Sequence, residues 1–194
     1  MTSTTIAEGS DNPVELVVNR DDIIIAVGHG WDAAASIGAA DALLADAVIG
    51  RSLYDYVCGD DTSMFVRVMI SGARQRLQPT VRPYRCDSPT HRRWMEMEMV
   101  PRPNGDVAIT HRILKTEPMP QRVAPLAGHG KLLPKRCSIC NRLRLAGEWH
   151  EPDTRAVATH IATAGERFGV IYGICPTCKA NQETQASGTP SVAG

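Results

Sequence analysis

Two C-x-x-C pairs in the last third of the chain are the residues best suited to chemistry. They are Cys137 with Cys140, and Cys175 with Cys178. A C-x-x-C turn directs two sulfurs at one ion, and two such turns supply the four tetrahedral ligands that structural zinc prefers. The 34 residues between the pairs exceed the ~15–20 of a compact zinc ribbon, so we expect a helix at about 153–163 in the gap. The sequence therefore predicts a structural zinc site.

Other chemistries are open to the same four thiols. Iron held by the four sulfurs is the alternative metal, and a redox dithiol pair or a disulfide framework are the alternatives without one. Neither pair is followed by His, which excludes covalent haem in its common form. His150 and His160 lie in the gap and could replace a cysteine ligand. Because four thiolates already complete a zinc shell, we interpret both histidines as surface residues.

Two further cysteines, Cys58 and Cys86, have no partner in the sequence pattern. A free cysteine usually behaves as a small buried hydrophobe, and we interpret both in this way. Cationic neighbours lower the pKa of a thiol, so a redox-sensing role for Cys86 is the alternative. Those neighbours are Arg82, Arg85, Arg92 and Arg93, which we otherwise expect to form a solvated sheet edge paired to acids such as Glu96 and Glu98.

Candidate ligand-binding residues lie on two of the predicted strands. His111 alternates with apolar residues on one strand face, where it could bond a small ligand or ligate haem. A methionine stripe alternates with acids on the preceding strand and consists of Met95, Met97 and Met99. Core packing is the simpler interpretation of both the histidine and the methionines.

Charge and motifs narrow the class of function. The formal net charge of zero argues against a chain-wide electrostatic grip on nucleic acid or anionic membrane. Residues 121–150 include six basic residues and only one acidic residue, so local contact with nucleic acid is an alternative hypothesis. Apolar neighbours there favour protein docking instead, namely Leu132, Leu133, Leu143 and Leu145. The P-loop, G-x-G-x-x-G, H-E-x-x-H and G-x-S-x-G motifs are all absent, which favours a protein that is not an enzyme.

The cellular compartment follows from two missing signals. No stretch approaches the ~20 apolar residues that a membrane helix needs. The N-terminus lacks the basic and apolar regions of a secretory signal. We therefore expect a cytoplasmic protein without membrane contact, whose thiols stay reduced.

Hydrophobic periodicity predicts an α+β fold with helices on one face of an antiparallel sheet. Strands are expected at 23–27, 80–86, 93–100 and 107–115, with small helices at 33–44 and Ser52 as the N-cap of a short helix. The longest helix is expected at 62–77, with Arg67 and Arg74 on its polar side. Its apolar stripe comprises Met64, Phe65, Val68, Met69, Gly72 and Ala73.

Several strings within 19–117 resemble the PAS sensor family. They are Asp22-Ile23-Ile24 with Trp31-Asp32, Val48-Ile49-Gly50-Arg51-Ser52-Leu53, and Tyr84-Arg85-Cys86-Asp87-Ser88-Pro89 with the methionine strand. The resemblance implies a five-stranded antiparallel sheet and a central cleft for a ligand or a cofactor, haem or flavin included. We recognise four of the five strands; the short strand expected after Trp31 is not visible.

The cysteine region also resembles a known bacterial tail. Its strings are Cys137-Ser138-Ile139-Cys140, Glu148-Trp149 and Tyr172-Gly173-Ile174-Cys175-Pro176-Thr177-Cys178. They are similar to the C-S-x-C … W … G-I-C-P-x-C tail that ends bacterial PAS and receiver signalling proteins. The resemblance implies an architecture and no particular activity.

Five regions follow from these patterns. We predict a disordered N-terminus at 1–18, a PAS-like sensor domain at 19–117, a Pro-rich linker at 118–134, a zinc ribbon or knuckle module at 135–181 and a disordered tail at 182–194. The expected function is signal sensing, with a protein partner or a homodimer as the assembly. A nucleic-acid-binding regulator and a thiol redox protein are the alternatives.

Overall fold

The computed structural model describes residues 13–37, 40–128, 133–165 and 167–186. It divides the chain into two compact units. The first comprises Met1–Val57, Val66–Pro83 and Met95–Leu114, and the second comprises Cys58–Phe65, Tyr84–Trp94 and Lys115–Gly194. Two segments from the middle of the chain therefore belong to the same unit as the cysteine pairs.

A five-stranded antiparallel sheet confirms the predicted α+β fold. Its strands are β1 (Val14–Val18), β2 (Ile24–Val27), β3 (Thr80–Arg85), β4 (His91–Pro101) and β5 (Val107–Pro118), in the order β2-β1-β5-β4-β3. The accompanying helices are α1 (Trp31–Ile37), α2 (Ala45–Val48) and α3 (Asp60–Arg76), with 3-10 turns at Asp41–Leu43 and Leu53–Tyr56. Ser52 caps the second turn by accepting a hydrogen bond from the Tyr54 N–H, at 3.3 Å.

Strand β1 corrects the predicted N-terminal boundary, because it lies within the segment expected to be disordered. Antiparallel pairing joins it to β2 on one side and to β5 on the other, with Leu16 opposite Ile109. Leu16, Val17 and Val18 are all buried. The five residues are too few, and Glu15 interrupts them, so their pattern did not stand out from the polar run before them. The rest of the predicted segment, residues 1–12, lies outside the described residues.

Helix α3 buries only part of the predicted stripe, Met69 and Ala73, together with Ile70, which was not predicted. Met69, Ile70 and Ala73 are buried, whereas Met64 and Val68 are 62% and 65% exposed. Arg74, expected on the solvent side, is half-buried and its Nη2 donates to Asp22 Oδ1 at 2.7 Å. The buried face is therefore narrower than the predicted stripe, and the Arg74–Asp22 ion pair lies beside it.

The second unit has a smaller, mixed sheet. Its strands are β6 (Leu126–Ala127), β7 (Lys135–Cys137), β8 (Leu143–Leu145), β9 (Glu148–His150) and β10 (Gly169–Gly173), in the order β6-β10-β7-β8-β9. Strand β10 is parallel to β6 and to β7, while β8 is antiparallel to β7 and to β9. Helix α4 (Arg155–Ala164) occupies the long gap between the cysteine pairs, close to the position predicted for it, and α5 (Pro176–Ala186) follows β10.

Two more predicted boundaries are corrected here. The expected linker contains β6 and also Val123, which is 6% exposed in the core that it forms with Leu143, Val157, Phe168 and Val170. The expected tail begins inside α5, which runs to Ala186. In both places polar or Pro-rich composition concealed ordered residues, which pair with β10 in the case of β6 and continue a helix in the case of α5. None of the helices in the described part of the chain is long and apolar enough to cross a membrane.

Candidate metal centre

Parallel pairing of β7 with β10 brings the two cysteine pairs to one place. Gly173 of β10 lies opposite Cys137 of β7. Because parallel strands point the same way, the chain segments that follow them leave the sheet at the same edge. One C-x-x-C pair starts at the last residue of β7, and the other starts two residues after β10.

The first pair lies in a tight turn between β7 and β8. The Asn141 N–H donates to the Cys137 carbonyl at 2.9 Å, and the Cys137 N–H donates to the Arg142 carbonyl at 2.9 Å. Asn141 has a φ of 60°, the left-handed conformation that asparagine tolerates better than most residues. This turn, which we call the knuckle (Cys137–Arg142), folds Cys140 back toward Cys137.

The second pair lies at the beginning of α5. Cys175 precedes the helix, its carbonyl accepts from the Lys179 N–H at 3.0 Å, and its Sγ accepts from the Cys178 N–H at 3.4 Å. Pro176, with its fixed φ and no N–H, suits the first helical position. The exposed N–H groups and the dipole of a helix N-terminus favour negative charge on nearby thiols. The Cys175 N–H also donates to Cys137 Sγ at 3.4 Å, which links the two pairs.

The four sulfurs have the spacing of a tetrahedral ligand set. All four Sγ atoms lie within 4.8 Å of one another, and Cys140 Sγ is 3.7 Å from Cys175 Sγ. With a Zn–S distance of about 2.3 Å, a tetrahedron places its sulfurs about 3.8 Å apart. A disulfide would require about 2.05 Å. The arrangement therefore fits one metal ion better than a bridge between pairs.

Because the cluster is buried, ionised cysteines without a neutralising cation would cost free energy here. Cys137, Cys175 and Cys178 are buried, with exposures of 0%, 1% and 9%. Hydrogen bonds from its neighbours Cys140 and Cys178 lower the pKa of Cys137. The bond to Cys137 in turn raises the pKa of Cys140 to about 12, and it also raises the pKa of Cys178. The thiols therefore compete for the charge, and a divalent ion would stabilise the ionised form of all four.

Apolar side chains cover the sulfurs. Ile139, Trp149 and Ile174 pack against the cysteine cluster. They exclude water and lower the local dielectric, which strengthens the attraction between thiolates and a cation. Trp149 is the tryptophan of the sequence motif, so its place in that motif has a packing explanation.

Residues 58–65 and 84–94 contact the knuckle within the same unit. Thr62 Oγ1 lies 2.6 Å from Ser138 Oγ, and the Arg85 N–H donates to the Ile139 carbonyl at 2.7 Å. Gly59 has a φ of +91°, and a Cβ there would lie 2.7 Å from the Tyr172 carbonyl oxygen. Two hydrogen bonds therefore hold the knuckle to these segments, and one close backbone approach holds residue 59 against β10.

An ion-pair network surrounds Glu151, just after β9. Arg85 Nη1 and Arg142 Nε donate to its two carboxylate oxygens at 2.6 and 2.8 Å. Arg85 also makes two hydrogen bonds to Asp87, and Arg92 Nη2 lies 2.8 Å from a carboxylate oxygen of Asp153. Burial alone would raise the pKa of Glu151, but the bonds from Arg85 and Arg142 lower it overall. The carboxylate thus stays ionised between two guanidinium groups.

This network corrects the predicted role of the arginines. Arg85 and Arg92 pair with Asp87, Glu151 and Asp153, not with Glu96 and Glu98. The latter two acids pair instead with Arg112 of β5, at 3.2 and 2.5 Å. Asp87 is a nearer partner of Arg85 than the predicted acids, whereas Glu151 and Asp153 are distant in sequence. The Glu151 site was missed because its two arginines are 57 residues apart in the chain.

The remaining predicted site residues lie outside the cysteine cluster, and those of the sheet are on the neighbouring strands β5 and β4. His111 lies on β5 opposite Val14, and burial lowers its pKa to about 4. Met99 is fully buried, and Met95 and Met97 are half-buried on the same strand. His150 and His160 are not part of the cluster, which consists of the four cysteines alone among the described residues.

Two expectations about burial were wrong. Cys58 and Cys86 are exposed, not buried, since both lie in connections outside strand and helix. The Nη2 atom of Arg93 lies 3.8 Å from Cys86 Sγ. Leu143, assigned to an apolar docking patch, is 1% exposed in the core, while Leu132 lies outside the described residues.

Comparison with known proteins adds little to this geometry. No protein-family model and no curated protein matches the chain. Among solved structures, a domain of an HTR-like protein from Haloarcula marismortui is similar, at 15% sequence identity and a TM-score of 0.38. The match covers 53% of this chain and 98% of that one. A similarity this low does not support an inference about function.

Proposed function

We propose that this chain is a regulatory protein that senses a signal and passes it on by binding a partner. Its PAS-like part would bind a small ligand, a cofactor or a partner, and its zinc-bearing unit would dock a signalling protein or a second copy. The main support for this proposal is the cluster of four thiols, which lies in a unit that has its own sheet and core.

The identity of the metal rests on the donor set. Four thiolates at tetrahedral spacing are typical of structural zinc, and iron is the alternative with the same ligands. Cys137, Cys140, Cys175 and Cys178 would hold the ion, which would neutralise their charges and join the knuckle to α5. An ion with a complete protein shell leaves no open position for substrate, which favours a structural role.

Sensing is assigned to the PAS-like part because of its sequence strings and its sheet. Ligand candidates remain His111 and the methionines at 95, 97 and 99. His111 lies on β5 and Met99 on β4, which are both inner strands of the five-stranded sheet. Haem or flavin in a cleft there has no support beyond the family resemblance.

The two alternatives are weaker. A thiol oxidoreductase needs an accessible thiolate, whereas three of the four motif cysteines are buried. A nucleic-acid regulator needs basic side chains that are free to reach phosphate. Arg142 instead pairs with Glu151, and Arg136 lies against the Tyr172 ring. We therefore favour a protein that is not an enzyme and does not read nucleic acid.

Metal analysis of the purified chain tests the central claim. We expect about one zinc per chain by elemental analysis. Cys175→Ser should lose the metal and unfold the second unit, because metal binding and folding share one free energy in such sites. Cys58→Ser is the matched control, since Cys58 is exposed and outside the cluster. Full metal content in the Cys175 variant would contradict the four-sulfur assignment. An absorption spectrum typical of iron or haem would contradict the assignment of zinc.

A further inference from the structure

Arg142 is the last residue of the knuckle and lies beside the sulfur cluster. Its carbonyl accepts from the Cys137 N–H at 2.9 Å, so its backbone closes the turn that holds the first cysteine pair. The hydrogen bond to Glu151 raises the pKa of Arg142, and the charges of Cys140 and Cys175 act on the guanidinium group from nearby and raise this pKa further. A cation therefore adjoins one cysteine from each C-x-x-C pair.

Glu151 fixes the position of this guanidinium group. Arg142 Nε donates to one carboxylate oxygen of Glu151 at 2.8 Å, and Arg85 Nη1 donates to the other at 2.6 Å. The backbone N–H of Arg85 donates to the carbonyl of Ile139, the residue before Cys140, at 2.7 Å. Arg85 therefore connects Glu151 to the knuckle, and Glu151 holds the side chain of Arg142 in place.

The charge of a filled metal site gives this cation a role. Four thiolates and one divalent ion leave two negative charges in a small volume. Ile139, Trp149 and Ile174 pack against the cluster, and apolar surroundings strengthen the attraction between opposite charges. Because a guanidinium group stays protonated in proteins, Arg142 would offset part of the negative charge at every physiological pH.

We propose that Arg142 is a positioning residue for the metal, whose fixed charge stabilises the ionised cysteines and so retains the ion. This inference rests on the four-cysteine metal site proposed above and adds to it a residue that is not a ligand. Groups that surround metal ligands typically change metal affinity by roughly 10–100-fold. The side chain of Arg142 is 39% exposed, so water screens its charge and we expect the lower end of this range, about tenfold.

Competition with a chromophoric chelator measures the zinc affinity of the intact chain. Arg142→Gln keeps a hydrogen-bond donor for Glu151 but removes the charge, and it should weaken zinc binding about tenfold. Arg142→Lys keeps the charge and should stay within about twofold of the wild-type affinity. Arg144→Gln is the matched control, because Arg144 is exposed and its Nε bonds the Gly147 carbonyl at 3.2 Å. This control should bind zinc as tightly as the wild type.

Cobalt(II) in place of zinc gives a readout that a purely structural role would not change. The energy of the thiolate-to-cobalt charge-transfer absorption depends on how strongly the surroundings hold the thiolate electrons. A nearby cation holds them more strongly, so Arg142→Gln should shift this absorption to longer wavelength, whereas Arg142→Lys should leave it unchanged. Only the metal-bound form has this absorption, so the spectrum tests the proposal even if the Gln variant unfolds without metal.

Three results would overturn the proposal. The first is wild-type zinc affinity and an unshifted cobalt spectrum in Arg142→Gln. The second is equal weakening by Arg142→Gln and Arg142→Lys, which would show that the shape of the side chain matters and its charge does not. The third is equal weakening by Arg144→Gln, which would reduce the effect to general surface charge. A wild-type chain that binds no zinc would instead contradict the metal site itself, and this inference with it.

Discussion

Glu151 provides the sharpest test of how the second unit is held together. Replacing Glu151 with Gln keeps the shape of the side chain and removes its charge. Arg85 and Arg142 bond different oxygens of this carboxylate, at 2.6 and 2.8 Å. Glutamine keeps one of these oxygens without its charge and puts an NH2 donor in place of the other. Since Arg85 and Arg142 are 57 positions apart in the chain, the substitution weakens a tertiary contact and not a local turn.

The expected cost follows from exposure. The side chain of Arg85 is 10% exposed, that of Glu151 is 31% exposed and that of Arg142 is 39% exposed. Breaking a fully buried pair costs roughly 3–5 kcal/mol, whereas a surface pair contributes about 0–1 kcal/mol. Arg85 keeps Asp87 as a partner, which limits the loss on the buried side. We therefore expect a decrease of about 2 kcal/mol in the free energy of unfolding of this unit.

Urea unfolding followed by tryptophan fluorescence measures this quantity. Trp94 and Trp149 both belong to the second unit, so their emission reports its unfolding. Glu117→Gln is the matched control, because its pair with Lys115 is exposed, at 41% and 62%. That variant should change the unfolding free energy by less than about 0.5 kcal/mol. Equal effects of the two substitutions would refute the assignment of Glu151 as a buried tertiary link.

The pH dependence has a definite sign. The pKa of Glu151 is lowered in the folded protein, so its contribution is fully present above the pKa of the unfolded chain and is lost as pH falls through the folded value. Between about pH 6 and pH 8, well above both values, the penalty of Glu151→Gln should therefore be constant. A penalty that falls steadily across this range would show that another group carries the effect.

Two further outcomes are expected. Gly59→Ala should destabilise the second unit by about 3 kcal/mol or more, because the new Cβ would lie 2.7 Å from the Tyr172 carbonyl oxygen. Gly50→Ala, at a similar φ of +85° but with no atom within 4 Å, should cost only about 1 kcal/mol, and equal costs would rule out the close approach. Light scattering should show a homodimer at micromolar concentration that Val68→Glu dissociates, since Val68 is 65% exposed on α3. Gln75→Glu on the same helix should leave the assembly intact, and a wild-type monomer would refute self-association.

Local patterns predicted most of the fold. The alternation in β4 and β5, the turn between them and the helix between the cysteine pairs are properties of short windows, and each element was found close to its expected position. The cysteine spacing is equally local, because a C-x-x-C turn directs two sulfurs the same way whatever surrounds it. The four candidate ligands could therefore be named from the sequence alone.

What the sequence did not reveal depends on pairing across the chain. Strand β1 is a recognisable element only because β2 and β5 lie on either side of it. Val123 and β6 lie in a Pro-rich segment. The burial of Val123 and the strand pairing of β6 depend on partners more than 40 residues away, such as Phe168 and Val170. Amino-acid composition indicates only the local preference for helix, strand or loop. It could not predict these segments, because their order depends on contacts with distant parts of the chain.

The placement of 58–65 and 84–94 with the cysteines has a consequence for how the metal acts. Thr62 and the Arg85 backbone contact two successive knuckle residues, Ser138 and Ile139, which lie between the first two ligands. Without the ion the knuckle would lose its fixed position. Residues 58–65 and 84–94 would then each lose one hydrogen bond to it. Metal binding and the ordering of these segments are then linked equilibria, so each must favour the other by the same free energy. A metal ion bound by the four cysteines would therefore stabilise the first turn of α3 as well as the two cysteine turns.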